Sequence, residues 1–410
     1  MKNTFAIVTF ILSVLFLSSC EKSNENPENE TKKLTLTSKA KEVIKSNNQF
    51  GIDFFTHIAK DETSNMMISP LSAGIALTML LNGAENETYN QIKEMLDYDE
   101  NMTLEEINDA YMSLVPQLIN ADQKVTTTIA NAVFYHMNFS FRQSFLDQLN
   151  NNFDAHAESL DFKSQQAVHT INQWAGDNTN GKIDNVIQSI DPLTVMFIMN
   201  ALYFKGDWSN QFDVSNTTSL PFYLDNKTQE VEVQTMTGEI PAKTLNNSEY
   251  SALELPYGRK NFSMVLIKPQ NTLDDFYNKF TRQTWQEITE SFQNQENWVP
   301  VQVQLPKFSF EYEKTLNKIL KKMGMADAFS ERLADLSGIS EEELYVNFVK
   351  QNTFIDVNEE GTEAAAVTTI GINTESTGPV FFANKPFIFA IRERTTNTLL
   401  FMGSVVNPNE

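Results

Sequence analysis

The sequence predicts an α+β fold. Apolar residues recur at helical spacing through the first part of the chain and alternate with polar residues through the later part. The two kinds of segment are segregated, not interleaved as a βαβ repeat requires. At 41% apolar and 20% charged residues, the composition supports a packed core and excludes a disordered or fibrous chain. From about Ser38 onward no linker, repeat or low-complexity run divides the chain. Residues 38–410 are therefore expected to form one domain.

The N-terminus reads as an address. Residues 5–17 are an apolar run interrupted only by Thr9 and Ser13, after a single Lys at position 2. As a helix the run rises about 20 Å, short of a bilayer core of about 30 Å, so residues 1–19 are expected to be a secretory signal peptide. Leu17-Ser18-Ser19-Cys20 resembles the bacterial lipoprotein box, and the single Cys of the chain stands where that box is lipidated. Residues 20–37 are polar and rich in Glu, Asn, Lys and Thr, which predicts a flexible tether. The expectation is a body held at a bacterial cell envelope, touching the membrane only through the lipid on Cys20.

In the body, residues 39–60 place Val43, Ile44, Phe54, Phe55 and Ile58 on one helical face. Residues 72–82 are almost wholly apolar and stop before Gly83, and residues 167–175 form a further short helix. Strands are predicted at 230–234, 250–255, 263–268, 299–305, 308–312, 387–392 and 399–406. The turn-like residues 394–397 join the last two as a hairpin.

Several function classes are excluded. The charge sum, 31 minus 53, is −22, and such a chain does not bind nucleic acid through a general electrostatic footprint. One Cys allows no internal disulfide or thiolate-rich metal site, and His57, His136, His156 and His169 stand singly. Gly176 to Lys182 has phosphate-loop spacing, but Ile183 stands where a Mg²⁺-binding Ser or Thr is needed. Asp97, Asp99 and Asn101 begin like a calcium loop, but Met102 replaces the Gly and Asn108 the bidentate Glu. No nucleophile elbow and no zinc-protease helix occur. No catalytic residue, metal or cofactor is expected.

One stretch, 359–376, does not behave like ordinary structure. Its first half, with Glu359, Glu360, Glu363, Ala364, Ala365 and Ala366, favours helix. Its second half, from Val367 and Thr368 to Thr374, is rich in β-branched residues. Split by parity, Thr362, Ala364, Ala366, Thr368, Ile370, Ile372 and Thr374 carry no charge. Both charges of residues 362–375 fall in the other set, on Glu363 and Glu375. That is a strand with one face made for burial. Gly371, Asn373 and residues 376–379 punctuate its far end as a loop.

These residues are similar to the reactive-loop hinge of serpins, and the resemblance extends from about residue 40 to 408. Met67-Ile68-Ser69-Pro70-Leu71-Ser72, Gly181-Lys182-Ile183, the run from Asn200 to Trp208, the run from Pro386 to Arg392, and Leu400 to Gly403 resemble further family blocks in the family's order. The resemblance implies about eight or nine helices packed around three β-sheets, with an exposed reactive-centre loop and no catalytic residue of its own. It implies a monomeric suicide inhibitor of serine, and also cysteine, proteases. A protease cleaves the loop, and the loop inserts into the central sheet before the acyl-enzyme hydrolyses. A binding or merely cleaved serpin is the alternative.

The resemblance also assigns roles. The hinge runs from Glu359, Glu360 and Gly361 through Thr362, Glu363, Ala364, Ala365 and Ala366 to Val367 and Thr368. Family loop length puts the reactive bond at Glu375–Ser376. Ser69, Ser72, Asn200 and Gln351 fall in the shutter of the sheet, and Trp208 and Lys307 at its breach. Gln351 stands where the family usually has a His, so a bond to Asn200 or Ser69 is expected without that group's titration. Lys307 and Glu359 match a family ion pair. Fully inserted, residues 361–375 span about 46 Å, near the diameter of such a body. Glu375 favours a glutamate-specific protease and should repel a trypsin-like pocket. An elastase- or subtilisin-like enzyme cutting at Ile372 or Thr374 is the rival partner.

Overall fold

In the computed structural model, which describes residues 31–225, 229–363 and 378–410, the first long helix starts one residue before its predicted boundary. Thr37 caps α1 (Ser38–Ala59) by accepting from the Ala40 amide, and Val43, Ile44, Phe54, Phe55 and Ile58 are all buried. After β1 (Met66–Ile68), Ser69 caps α2 (Pro70–Leu81), with Pro70 pre-set for the first helical position. A mostly apolar run, interrupted by Ser72 and Thr78, makes α2 buried nearly all round. Next come α3 (Asn86–Met95), α4 (Leu104–Ile119), β2 (Val125–His136), α5 (Gln143–Phe153), β3 (Ala155–Leu160), α6 (Gln165–Asn178) and β4 (Met196–Asp207).

The later part is mostly strand, as its alternation predicts. It comprises β5 (Thr218–Asp225), β6 (Gln229–Asn246), β7 (Tyr250–Pro256), β8 (Phe262–Pro269), α7 (Leu273–Tyr277), α8 (Arg282–Asn294), β9 (Val299–Pro306) and β10 (Phe308–Thr315). Then follow α9 (Asn317–Lys322), β11 (Lys350–Val357), β12 (Gly361–Thr362), β13 (Val380–Phe382), β14 (Phe387–Glu393) and β15 (Thr398–Val405). Among the described residues there are nine α-helices.

One sheet has six strands in the order β10-β11-β12-β4-β2-β3. The other runs β1-β15-β14-β8-β7-β6-β9-β13, with β5 also beside β6. The long strand β6 belongs to two layers at once. Its residues 235–242 pair with β9 and its residues 243–246 pair with β7. The three expected sheets are thus one separate sheet and two that share a strand. The main apolar core includes Leu202, Phe204, Phe389 and Phe401. A smaller cluster of Phe134, Ile171, Ala175 and Phe197 joins α6 to the six-stranded sheet.

The tether needs correction over part of its length. Residues 20–37 are expected to be flexible, yet residues 31–37 lie against the body. Asn261 accepts from the Lys32 amide at 2.9 Å and donates to the Lys32 carbonyl at 2.7 Å. Gln117 makes the same exchange with the Thr35 backbone, at 2.8 and 3.0 Å. Leu34 and Leu36 pack against the main core. Side-chain amides satisfy this backbone where no strand does, and two leucines supply the apolar contact. Residues 1–30, with the expected signal peptide and Cys20, lie outside the described residues.

Candidate functional site

The six-stranded sheet is incomplete at its centre. β2 pairs with β4 from Val125↔Gly206 to Tyr135↔Met196, and β10 pairs with β11 along its whole length. Between β4 and β11 the described residues hold only β12, two residues long. Gly361 pairs with Asp207, and Thr362 lies between Gly206 and Val357. Beyond Thr362 a cavity of about 190 Å³ opens along β4 and β11, lined by Leu77, Asn200, Leu202, Phe348 and Gln351 among others.

The breach end is held by side chains from segments that flank several strands. Trp208 donates its amide to the Glu360 carbonyl at 2.7 Å and its indole N–H to the Asn358 carbonyl at 3.0 Å. Its ring stacks on Tyr257 at 4.4 Å. The Tyr257 hydroxyl is 2.6 Å from Thr362 Oγ1, and burial pushes its pKa far above the usual tyrosine range. Glu359 takes Lys307 Nζ at 2.9 Å on one carboxylate oxygen and the Thr217 hydroxyl at 2.8 Å on the other. Burial opposes ionisation of Glu359, but the hydrogen bonds from Lys307 and Thr217 outweigh it and hold the carboxyl below its ordinary range. Gly361 is required by close approach, because a Cβ there would overlap the Gly206 carbonyl oxygen.

The shutter end is a hydrogen-bond relay. Gln351 Oε1 accepts from the Ser69 amide at 3.0 Å, and its Nε2 donates to the Ser69 carbonyl at 2.9 Å. Of the two expected partners, Gln351 takes Ser69 and not Asn200, because both its polar atoms are used on one backbone unit. The Ser69 hydroxyl donates to the Leu400 carbonyl at 2.8 Å and accepts from the Ser72 amide at 3.2 Å. The Ser72 hydroxyl reaches the Asn200 carbonyl at 3.5 Å. Asn200 Nδ2 donates to Asn131 at 2.7 Å, while its Oδ1 is buried and has no hydrogen-bond partner among the described residues.

The sequence-predicted residues therefore gather at the two ends of one gap. Ser69, Ser72, Asn200 and Gln351 stand at one end, and Trp208, Lys307 and residues 359–363 at the other. Ala364, Ala365, Ala366, Val367, Thr368 and the expected reactive bond Glu375–Ser376 lie outside the described residues. Tyr257 and Thr217 were not legible, since only register between distant strands brings them to the hinge. Thr353, whose hydroxyl donates to the Met67 carbonyl at 2.7 Å, carried no signal either.

An incomplete central sheet with its hinge seated at one end defines a class, and comparison with known proteins gives its family. The serpin family's sequence model, described as serine protease inhibitor, matches residues 45–408. Human Serpin B11 is 32% identical over 388 residues, covering 88% of this chain and 98% of its own. The leukocyte elastase inhibitor of Xenopus tropicalis is 34% identical over 372 residues, covering 88% and 97%. Among solved structures, the thermophilic serpin tengpin in its native state superposes with a TM-score of 0.81 at 30% identity, covering 92% of this chain and 96% of its own. Human thyroxine-binding globulin in a ligand complex matches with a TM-score of 0.81 at 27% identity, covering 91% and 100%. The chain belongs to the serpin family. That family is one of protease inhibitors in the main, not enzymes, and these relatives include both a named inhibitor and a named binding globulin.

Proposed function

We propose that this protein is an inhibitory serpin that traps serine proteases by cleavage and insertion of its reactive loop. The register of β12 carries the reading. Continued from Thr362, the same pairing sets Ala364 between Phe204 and Ile355, and Ala366 between Leu202 and Thr353. It sets Thr368 between Asn200 and Gln351, where a hydroxyl meets the unpartnered Asn200 Oδ1. The uncharged parity set of the loop thus falls on the side of the main core. Small residues enter first, and apolar Ile370 and Ile372 follow into an apolar cavity. A non-inhibitory binding protein has no use for this match.

The protease supplies the nucleophile, and the scissile bond is Glu375–Ser376. The acidic chain favours basic proteases at low salt. Lipidation of Cys20 holds the inhibitor at a bacterial cell envelope. The test is to mix full-length protein with a glutamate-specific serine protease, an elastase and trypsin. Denaturing gels and the mass of the released C-terminal peptide are then read. A denaturant-resistant covalent band, with a peptide starting at Ser376, is expected for the glutamate-specific enzyme. Cleavage by all three with no such band would replace inhibition by the binding or substrate reading.

A further inference from the structure

The turn after α6 reaches across the gap. Asn180 (φ 54°) and Gly181 (φ 74°) are both left-handed, and they deliver Lys182, last residue of the failed phosphate loop, to the hinge. Lys182 Nζ lies 3.4 Å from the Glu363 carboxylate and 4.8 Å from the ring centroid of Phe354 on β11. Tyr203 on β4 lines the same small cavity as Glu363, and its hydroxyl accepts from Asn180 Nδ2 at 3.3 Å. The Glu363 side chain is only 9% exposed. Its backbone has φ 61°, a left-handed conformation that strains a residue with a Cβ, while its amide still donates to the Asp356 carbonyl at 2.9 Å. The chain therefore leaves the sheet at a kink, and the kink is held by its own side chain.

The register shows what this blocks. An inserted strand continuing from Thr362 would put Glu363 between Lys205 and Asp356, and Ala365 between Tyr203 and Phe354. Glu363, Lys182, Tyr203 and Phe354 instead line one cavity of about 20 Å³ at this place in the gap, and Lys182 sits against both the Glu363 carboxylate and the Phe354 ring. Insertion past Thr362 requires Glu363 to leave Lys182, straighten its backbone and move toward Lys205.

We propose that Lys182 is a positioning residue that holds Glu363 as a stop, fixing the hinge at Thr362 until the loop is cut. The proposal rests on the insertion reading of the preceding subsection. Its test compares full-length wild type with Lys182→Met, Lys182→Arg and Glu363→Ala. The rate at which uncleaved protein converts to a more stable inserted form is followed on urea gels. Hydrogen exchange is measured at the Glu363 amide, with the amides of β2 as reference, and loop-cleaved wild type is the control for insertion. Lys182→Met and Glu363→Ala should convert at least tenfold faster than wild type and exchange the Glu363 amide faster, with β2 unchanged. Lys182→Arg should stay within twofold of wild type. Should Lys182→Met fail to fold, Glu363→Ala gives the same reading. If cleaved wild type inserts but both variants convert within twofold of wild type, or more slowly, the stop is wrong and the inhibitor reading stands. If cleaved wild type does not insert, both fall.

Discussion

Glu359 shows how one carboxylate fixes the approach to a two-residue strand within a larger sheet. Its side chain is 8% exposed against 40% for Lys307, so the pair is not the open surface kind worth under about 1 kcal/mol. Its carboxyl sits below the ordinary value of 4.5 in the folded protein, since the bonds from Lys307 and Thr217 overcome the opposing effect of burial. A depressed carboxylate stabilises the fold above its unfolded value, and the contribution is lost as pH falls through the folded value. The anchor therefore persists at neutral pH and fails only in acid. Lys307→Ala should speed spontaneous conversion of uncleaved protein at least fivefold at pH 7, and the ratio to wild type should fall toward one as the pH drops through the acid range below 4.5. Rates measured from pH 3.5 to 8 check this, and a ratio independent of pH would contradict it. At this scale the sequence was informative wherever a family block contained the residue, as with Ser69, Trp208, Lys307 and Gln351. It was silent on Tyr257 and Thr217, whose roles arise from packing between separate strands.

Strand β12 is the element on which the account turns, and it is two residues long. Propensity alone reads its surroundings as a helix, because Glu and Ala dominate. Tertiary pairing with β4 and β11 overrides that preference at Gly361 and Thr362. Thr362 is 3% exposed, and its hydroxyl faces the fully buried hydroxyl of Tyr257. Thr362→Arg would place a charge in that site at a cost of several kcal/mol, so the hinge should be expelled and insertion should stall. The variant should be cleaved at the wild-type rate and yield less than a tenth of the covalent band on denaturing gels. Other elements were legible to different degrees. The strands 387–392 and 399–406 keep their predicted places because each is a short, mostly apolar run bounded by turn residues, and both are buried on both faces. Strand β6 was seen only at 230–234, because Pro241 and Gly238 break its later pattern, although both lie within the ladder to β9. Helix α4 was passed over despite the Thr103 and Glu106 capping box at its start.

At the scale of the whole molecule, the described body carries an empty strand position through its central sheet. Among the described residues, no strand beyond Thr362 stands in that position between its neighbours β4 and β11. Filling it adds hydrogen bonds worth about 1 kcal/mol each and buries the apolar parity set of the loop. On the proposed mechanism, the folded state before cleavage is not the most stable state open to this chain, and the loop connection is what withholds the better one. The parity of residues 362–374 carried that conclusion in the sequence, while the gap itself needed the register of two strands some 150 residues apart, such as Gly206 and Val357. The most direct test is the unfolding temperature of full-length protein before and after a single cut in residues 364–377, with the cut verified by the mass of the released peptide. Insertion predicts a rise of more than about 10 °C on cleavage, since each kcal/mol gained is worth a few degrees in a domain of this size. An unchanged or lower unfolding temperature would mean that the loop does not enter the sheet, and the trapping mechanism would be wrong.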